Sequence, residues 1–334
     1  MFAVLVDNYL SCANENHSSN KSRGKIMMKK FAILGLFMGM ATMTAASADA
    51  ASLKAIYDFS DQLDATATSF EGLDFTNDGK LWITSAPNSL SAKKRLLSVD
   101  LATETVTSNT PYNTTLINPV GLASDGENFF VLNNNKTFGN KVYNGVTLTA
   151  DKATLSTSYS FLGASTCKDG EGAAYLNGYV YISCETTKNV VKIDSKTGKV
   201  VENINFGVSL LGLGATETSL IIGDYTNHAL LMYDVAKGEI TQTINLADLF
   251  VGAESDYAKL TGESYQTTIV DNGDVRYIPD PDGLAYRNGK IYMTFEHDLR
   301  VFEISTVATP EPTTLLLLGV GLLGLAKLKK QGKK

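Results

Sequence analysis

Three acidic residues stand at matching places in a repeated pattern. They are Glu71 in Glu71-Gly72-Leu73-Asp74, Glu171 in Glu171-Gly172-Ala173-Ala174, and Asp282 in Asp282-Gly283-Leu284-Ala285. Carboxylate oxygens are hard ligands, and several of them converging on one point suit Ca²⁺. Two further copies, Val120-Gly121-Leu122-Ala123 and Leu211-Gly212-Leu213-Gly214, put an apolar residue at that place. At most three ligands therefore come from the pattern, and the other role open to them is capping loops at a solvated opening. Asp280-Pro281-Asp282-Gly283 matches part of a calcium loop, but no Glu follows at the twelfth position.

Other chemistry is sparse. Neither G-x-S-x-G nor H-E-x-x-H occurs. Ser91-Ala92-Lys93-Lys94 fits S-x-x-K but falls in a polar loop. His228 follows Thr226-Asn227, and His297 follows Glu296. Either imidazole could serve as a general base, and either could serve a loop. No catalytic residue is assigned, and the reading leans away from an enzyme. Cys12 lies in the N-terminal region, which leaves Cys167 and Cys184 in the body as a disulfide or as two free thiols. Centring a hairpin on Asn177-Gly178 puts Cys184 opposite Glu171.

Positioning such residues falls to a repeat. The motif glycines are spaced 49, 51, 40 and 71 residues apart. Most motifs lead into a tight turn and a second apolar run. Asp78-Gly79 precedes Leu81-Trp82-Ile83-Thr84, and Asn177-Gly178 precedes Tyr179-Val180-Tyr181-Ile182. Asn-Gly and Asp-Gly supply the positive φ that a two-residue hairpin needs. A third run ends in Asp at Asp100, Asp194 and Asp234, and an alternating fourth follows, as in Ile240-Thr241-Gln242-Thr243-Ile244. Four antiparallel strands per period of about 40–50 residues make a β-propeller blade. The expected fold is all-β, a propeller of five blades, with six as the alternative if the longest interval hides one in 257–277. Leu53–Phe59 reads as a fourth strand that pairs with the last repeat and closes the ring.

The ends differ from the body. Residues 51–309 hold 19 Lys and Arg against 31 Asp and Glu, a net charge of −12. That field excludes nucleic acid as a partner. Met27-Met28-Lys29-Lys30, an uncharged run to Ala48 and Ala-x-Ala sites form a signal peptide over 27–50, read by the Sec export machinery and signal peptidase. Residues 1–26 read as a leader ahead of the true start. The propeller spans 51–305. The tail spans 306–334 and contains a membrane helix at 313–328. Its fully uncharged stretch, Thr313–Ala326, is 14 residues or about 21 Å long, short for a span of about 30 Å. The lysines beyond it stay cytoplasmic and can snorkel. Gly319-Val320-Gly321-Leu322-Leu323-Gly324 fits G-x-G-x-x-G, but no strand precedes it, and its glycines belong to the apolar helix.

Pro310-Glu311-Pro312, the Leu/Gly-rich run and the basic end resemble the PEP-CTERM sorting signal of Gram-negative bacteria, although this chain ends in Lys where members usually end in Arg. The resemblance implies transient anchoring in the inner membrane and processing by an exosortase. The implied destination is the cell surface or an exopolysaccharide matrix. The repeat grammar resembles NHL-type and gluconolactonase-like propellers, some of which hold a metal in the central channel. The leading expectation is an exported binding or structural protein of the surface or matrix. The competing one is a calcium-dependent hydrolase, lactonase-like or phytase-like, with Glu71, Glu171 and Asp282 as ligands.

Overall fold

Short-range chemistry sets the hairpins. Asn177 and Gly178 have φ of 53° and 85°, and Asn288 and Gly289 have 52° and 79°. Two successive positive φ values match the twist of the flanking strands. The third-strand aspartates open the next turn. Asp194 Oδ1 accepts the N–H groups of Lys196 and Thr197 (3.0 and 2.8 Å), and Asp234 Oδ1 those of Ala236 and Lys237 (both 3.0 Å). Asp100 does the same with Ala102 and Thr103. The side chain thus satisfies the backbone donors of the turn.

The computed structural model describes residues 51–63, 69–86, 95–111, 119–135, 142–149, 154–160, 167, 169–268 and 279–306. Among them the strands form five four-stranded antiparallel sheets. One contains β2 (Ser69–Phe75), β3 (Leu81–Ala86), β4 (Arg95–Asp100) and β5 (Thr105–Pro111). The next contains β6 (Pro119–Ser124), β7 (Asn128–Asn135), β8 (Val142–Thr149) and β9 (Thr154–Ser160). Then come β10 (Gly170–Leu176), β11 (Tyr179–Cys184), β12 (Asn189–Asp194) and β13 (Val200–Asn205). They are followed by β14 (Leu210–Ala215), β15 (Ser219–Asp224), β16 (Ala229–Asp234) and β17 (Glu239–Asn245). The last sheet joins β18 (Pro281–Arg287), β19 (Lys290–Phe295) and β20 (Arg300–Ser305) to β1 (Ser52–Asp58). β1 runs antiparallel to β20, with Leu53 opposite Ile304 and Asp58 opposite Arg300. The first strand of the body thereby completes the last sheet.

The innermost strands β2, β6, β10, β14 and β18 touch in that order, and β18 touches β2 again. The motif glycines explain the close approach. A β-carbon on Gly72 would lie 2.2 Å from Leu122 N, one on Gly121 2.6 Å from Ala173 N, and one on Gly172 2.4 Å from Leu213 N. On Gly212 it would meet Asp282 O at 2.4 Å, and on Gly283 Glu71 O at 2.1 Å. Each glycine is seated against the backbone of the next sheet. Here the requirement is space rather than φ. Between the sheets lie apolar clusters such as Leu73, Ile83 and Leu97 of the first sheet with Ala285, Tyr292 and Val301 of the last.

The longest interval holds helices where a sixth blade was the alternative. Among the described residues it contains α1 (Leu246–Phe250) and α2 (Asp256–Thr261). Asn245 Oδ1 caps α1 through Ala247 N, and Ser255 Oγ caps α2 through Ala258 N. Leu246, Leu249 and Phe250 bury one face at helical spacing. Phe250 packs edge-on against Phe295 and Phe302 (4.8 and 5.2 Å between centroids). A single turn of helix is too short for a ten-residue periodicity scan to detect. Among the described residues no helix is long and apolar enough to cross a membrane. The segments 27–50 and 313–328 lie outside the described residues.

Candidate functional site

The pairing of each innermost strand with its neighbour slips at the same place in every sheet. The shifts fall between Phe70 and Leu73, Pro119 and Gly121, Gly170 and Ala173, Leu210 and Leu213, and Pro281 and Gly283. The residue before the motif glycine sits on this bulge, and a bulge re-aims its side chain. Glu71, Glu171 and Asp282 are therefore presented by one device used three times.

A hydroxyl supports each of the three. Gly72 N–H donates to Thr84 Oγ1 (2.7 Å), whose hydroxyl donates to Val120 O of the next sheet (3.2 Å). Gly283 N–H donates to Thr294 Oγ1 (3.1 Å), which donates to Phe70 O (3.2 Å). Gly172 N–H donates to Ser183 Oγ (2.7 Å), and that hydroxyl bonds Leu211 O. The sheets with Val120 and Leu211 carry Leu132 and Gly223 at the corresponding place.

Asp282 lies at the centre of the acidic group. It is 4 % exposed. Burial pushes its carboxyl well above the usual range, and the carboxylates of Glu71, Glu296 and Glu171 push the same way. Apart from Glu71, Oδ2 of Asp282 has no hydrogen-bond partner. Glu171 comes from β10, which is not a ring neighbour of β18, yet its charge still acts on Asp282, so the motif acids of three different sheets influence one carboxyl.

Further acids join from loops, and two sheets repeat the arrangement. Asp169 precedes Glu171 by two residues, as Asp280 precedes Asp282. Glu185 directly follows β11, as Glu296 directly follows β19. The backbone bond is also shared: Glu185 N–H donates to Asp169 O (2.7 Å), and Glu296 N–H to Asp280 O (3.3 Å). Carboxylate oxygens of Asp169, Glu171 and Glu185 all lie within 4.8 Å of one another. Oxygens around one Ca²⁺ at about 2.3–2.6 Å can be at most about 5 Å apart. The trio thus fits a single ion sphere.

The two copies differ in what holds them. Cys167 and Cys184 are joined by a disulfide with Cα atoms 5.3 Å apart, flanking the first copy. The bulge sets Cys184 opposite Gly170 rather than Glu171, the position reached by simple centring of the hairpin. In the second copy His228 Nδ1 lies 3.4 Å from Asp280 Oδ1, and His297 Nε2 lies 3.3 Å from Glu296 Oε1. Both histidines, at φ of 51° and 61°, occupy left-handed loop positions.

Sequence reasoning missed Asp169 and Glu185, and met Asp280 only as part of a calcium-loop fragment and Glu296 only as the neighbour of His297. Their signal was available, because aligning the third and fifth motifs as D-x-[E/D]-G, each followed later by a second strand with Glu directly after it, exposes all four. Pro310, Glu311, Pro312, Cys12, Ser91–Lys94 and the 319–324 glycines lie outside the described residues.

Where the innermost strands end, a cavity of about 480 Å³ is lined by residues including Asp74, Asn77, Tyr175, Glu217, Tyr286 and Arg287. Much of its polarity is spent joining sheets. Asp74 accepts Phe75 N (2.8 Å) and Ser124 N (2.6 Å), and Arg287 donates to Thr76 O (3.2 Å) while lying over the Phe75 ring.

Residues 308–330 match the model of the PEP-CTERM protein-sorting motif. No curated protein matches the chain. Among solved structures, glutaminyl cyclase of Myxococcus xanthus is similar at 17% identity over 76% of this chain and 95% of that one, with a TM-score of 0.52. Hydrazine synthase of Kuenenia stuttgartiensis is similar at 13% identity over 69% and 75%, with a TM-score of 0.40. At such identities the likeness concerns fold alone. What the chain carries is an all-β propeller followed by a PEP-CTERM sorting motif.

Proposed function

We propose that the chain is an exported, exosortase-processed five-bladed propeller that binds calcium at its channel mouth and acts as a binding or structural protein at the surface or in an exopolysaccharide matrix. Sec export and signal peptidase deliver it, and the tail holds it transiently in the inner membrane. The PEP-CTERM match supports the route. The five four-stranded sheets support the blade count.

One observation carries the cation reading: Glu71 hydrogen-bonds buried Asp282, and the carboxylates of Glu296 and Glu171 add further negative charge around it. Like charges in a poorly solvated place are costly unless protonated or matched by a cation. Glu71, Glu171 and Asp282 fit Ca²⁺ by donor type, and the ion would neutralise them and polarise any oxygen ligand bound beside it. The test is calcium titration of the full chain in mild detergent, followed by thermal melting. At a hundredfold excess over Kd the folded state gains about 2.7 kcal/mol. In Asp282→Asn the shift should be lost. No shift in the wild type removes the reading.

The hydrolase reading has one specific support, the His297–Glu296 pair beside Asp282. In that case His297 is the candidate general base for a water near the ion. A panel of lactones and phosphate monoesters, with and without Ca²⁺, tests it. Turnover that requires calcium and falls at least 100-fold in His297→Ala would establish an enzyme.

A further inference from the structure

We propose that Asp169 and Glu185 are calcium ligands delivered by the Cys167–Cys184 disulfide, so that the site assembles only after oxidation. This rests on the cation reading above.

The internal repeat isolates what the disulfide adds. Both copies share the D-x-[E/D]-G motif, the Glu after the second strand and the Glu N–H to Asp O bond. In the second copy histidines approach two of the acids, His228 at Asp280 and His297 at Glu296. The first copy has a covalent staple, and its three carboxylates draw within one ion sphere. Cys167 lies two residues before Asp169, and Cys184 is bonded directly to Glu185. The staple therefore fixes the two segments that bring Asp169 and Glu185 to Glu171.

Asp169 has φ of 61°, in the left-handed region that a residue other than glycine enters at a cost. Such a conformation persists where its surroundings over-determine it. The staple on one side and the Glu185 N–H on the other do so. An acidic cluster alone would not indicate an ion. The independent sign is Asp282, whose buried Oδ2 has no partner apart from Glu71 and whose carboxyl feels the negative charge of Glu171.

Closing the staple converts two thiols to one S–S bond, releasing two protons and two electrons. A disulfide, of a small molecule or an oxidoreductase, accepts the electrons and becomes two thiols. Before export such oxidants are scarce and the thiols persist. The chain would then acquire its ion outside the cytoplasm.

The experiment is calcium binding by isothermal titration to the full chain in detergent, oxidised, reduced and reoxidised, with circular dichroism reporting the fold. Reduction should weaken affinity at least tenfold while the sheet signal is kept, and reoxidation should restore it. Asp169→Asn and Glu185→Gln in the oxidised chain should weaken it likewise, and the exposed Glu254→Gln should not. If the oxidised wild type binds no calcium, the cation reading itself fails. If it binds and reduction changes nothing, the role of the staple is refuted while the cation reading stands. If reduction unfolds the chain, the two ligand variants decide: unchanged affinity in both overturns the proposal, and weakened affinity supports it.

Discussion

The carbonyl oxygen of Glu71 lies 2.1 Å from where a β-carbon on Gly283 would sit. The seam between the first and last innermost strands is therefore backbone against backbone, with no room for one methyl group. Gly283→Ala should destabilise the chain by about 3 kcal/mol or more, because rigid backbone must move. Gly178 is the control. A β-carbon there meets nothing within 4 Å, and its φ of +85° carries a cost of about 1 kcal/mol. Urea unfolding of both variants checks the contrast. Equal losses would mean that the seam is not tight.

Thr294 bridges the same seam. Its hydroxyl accepts Gly283 N–H and donates to Phe70 O, all of it buried. Thr294→Val keeps the shape and leaves a donor and an acceptor without partners. A loss of about 1–3 kcal/mol is expected. Thr84→Val should cost a similar amount at the next seam, since Thr84 bridges Gly72 and Val120. Chemical denaturation gives both values, and a change under about 0.5 kcal/mol in either would show that water replaces the bridge.

Asp74 makes stability depend on pH. Burial pushes its carboxyl from 3.8 up to about 7, against two backbone N–H bonds that pull it down. The folded chain therefore holds a proton that the unfolded chain releases. The stabilising contribution is complete below about pH 4 and is lost as pH rises through 7. Asp74→Asn does not titrate. The melting temperature of the wild type, relative to that variant, should fall between pH 4 and pH 7 and then level. A difference that stays flat with pH would assign the titration to another group.

Glu311→Ala tests the tail. The substitution leaves the apolar run and its lysines intact, so membrane insertion is unchanged. In a host carrying an exosortase, the variant should accumulate as a full-length membrane form, while the unaltered chain is shortened. Identical processing of the two chains would remove Glu311 from the recognition element of the matched motif.

The sequence alone determined the strand grammar and the sorting tail, because both rest on local chemistry. Asn177-Gly178 makes a hairpin through its own φ preferences, and Asp194 and Asp234 satisfy the turns that immediately follow them. The recurrence of Glu71, Glu171 and Asp282 before a glycine was equally legible. What the glycine is for was not. It faces the backbone of another sheet, a contact that exists only once the sheets have packed together. The helices at Leu246–Phe250 and Asp256–Thr261 also escaped a linear reading. Each is barely a turn or two long, and the packing of Phe250 on Phe295 and Phe302 holds the first against the sheets. The acidic site itself is tertiary. Asp169, Glu171 and Glu185 come from both sides of one bulged hairpin, and Asp282 and Glu71 come from the far ends of the body. A one-residue bulge, invisible in composition or spacing, decides which side chains turn toward the opening and which cysteines can meet.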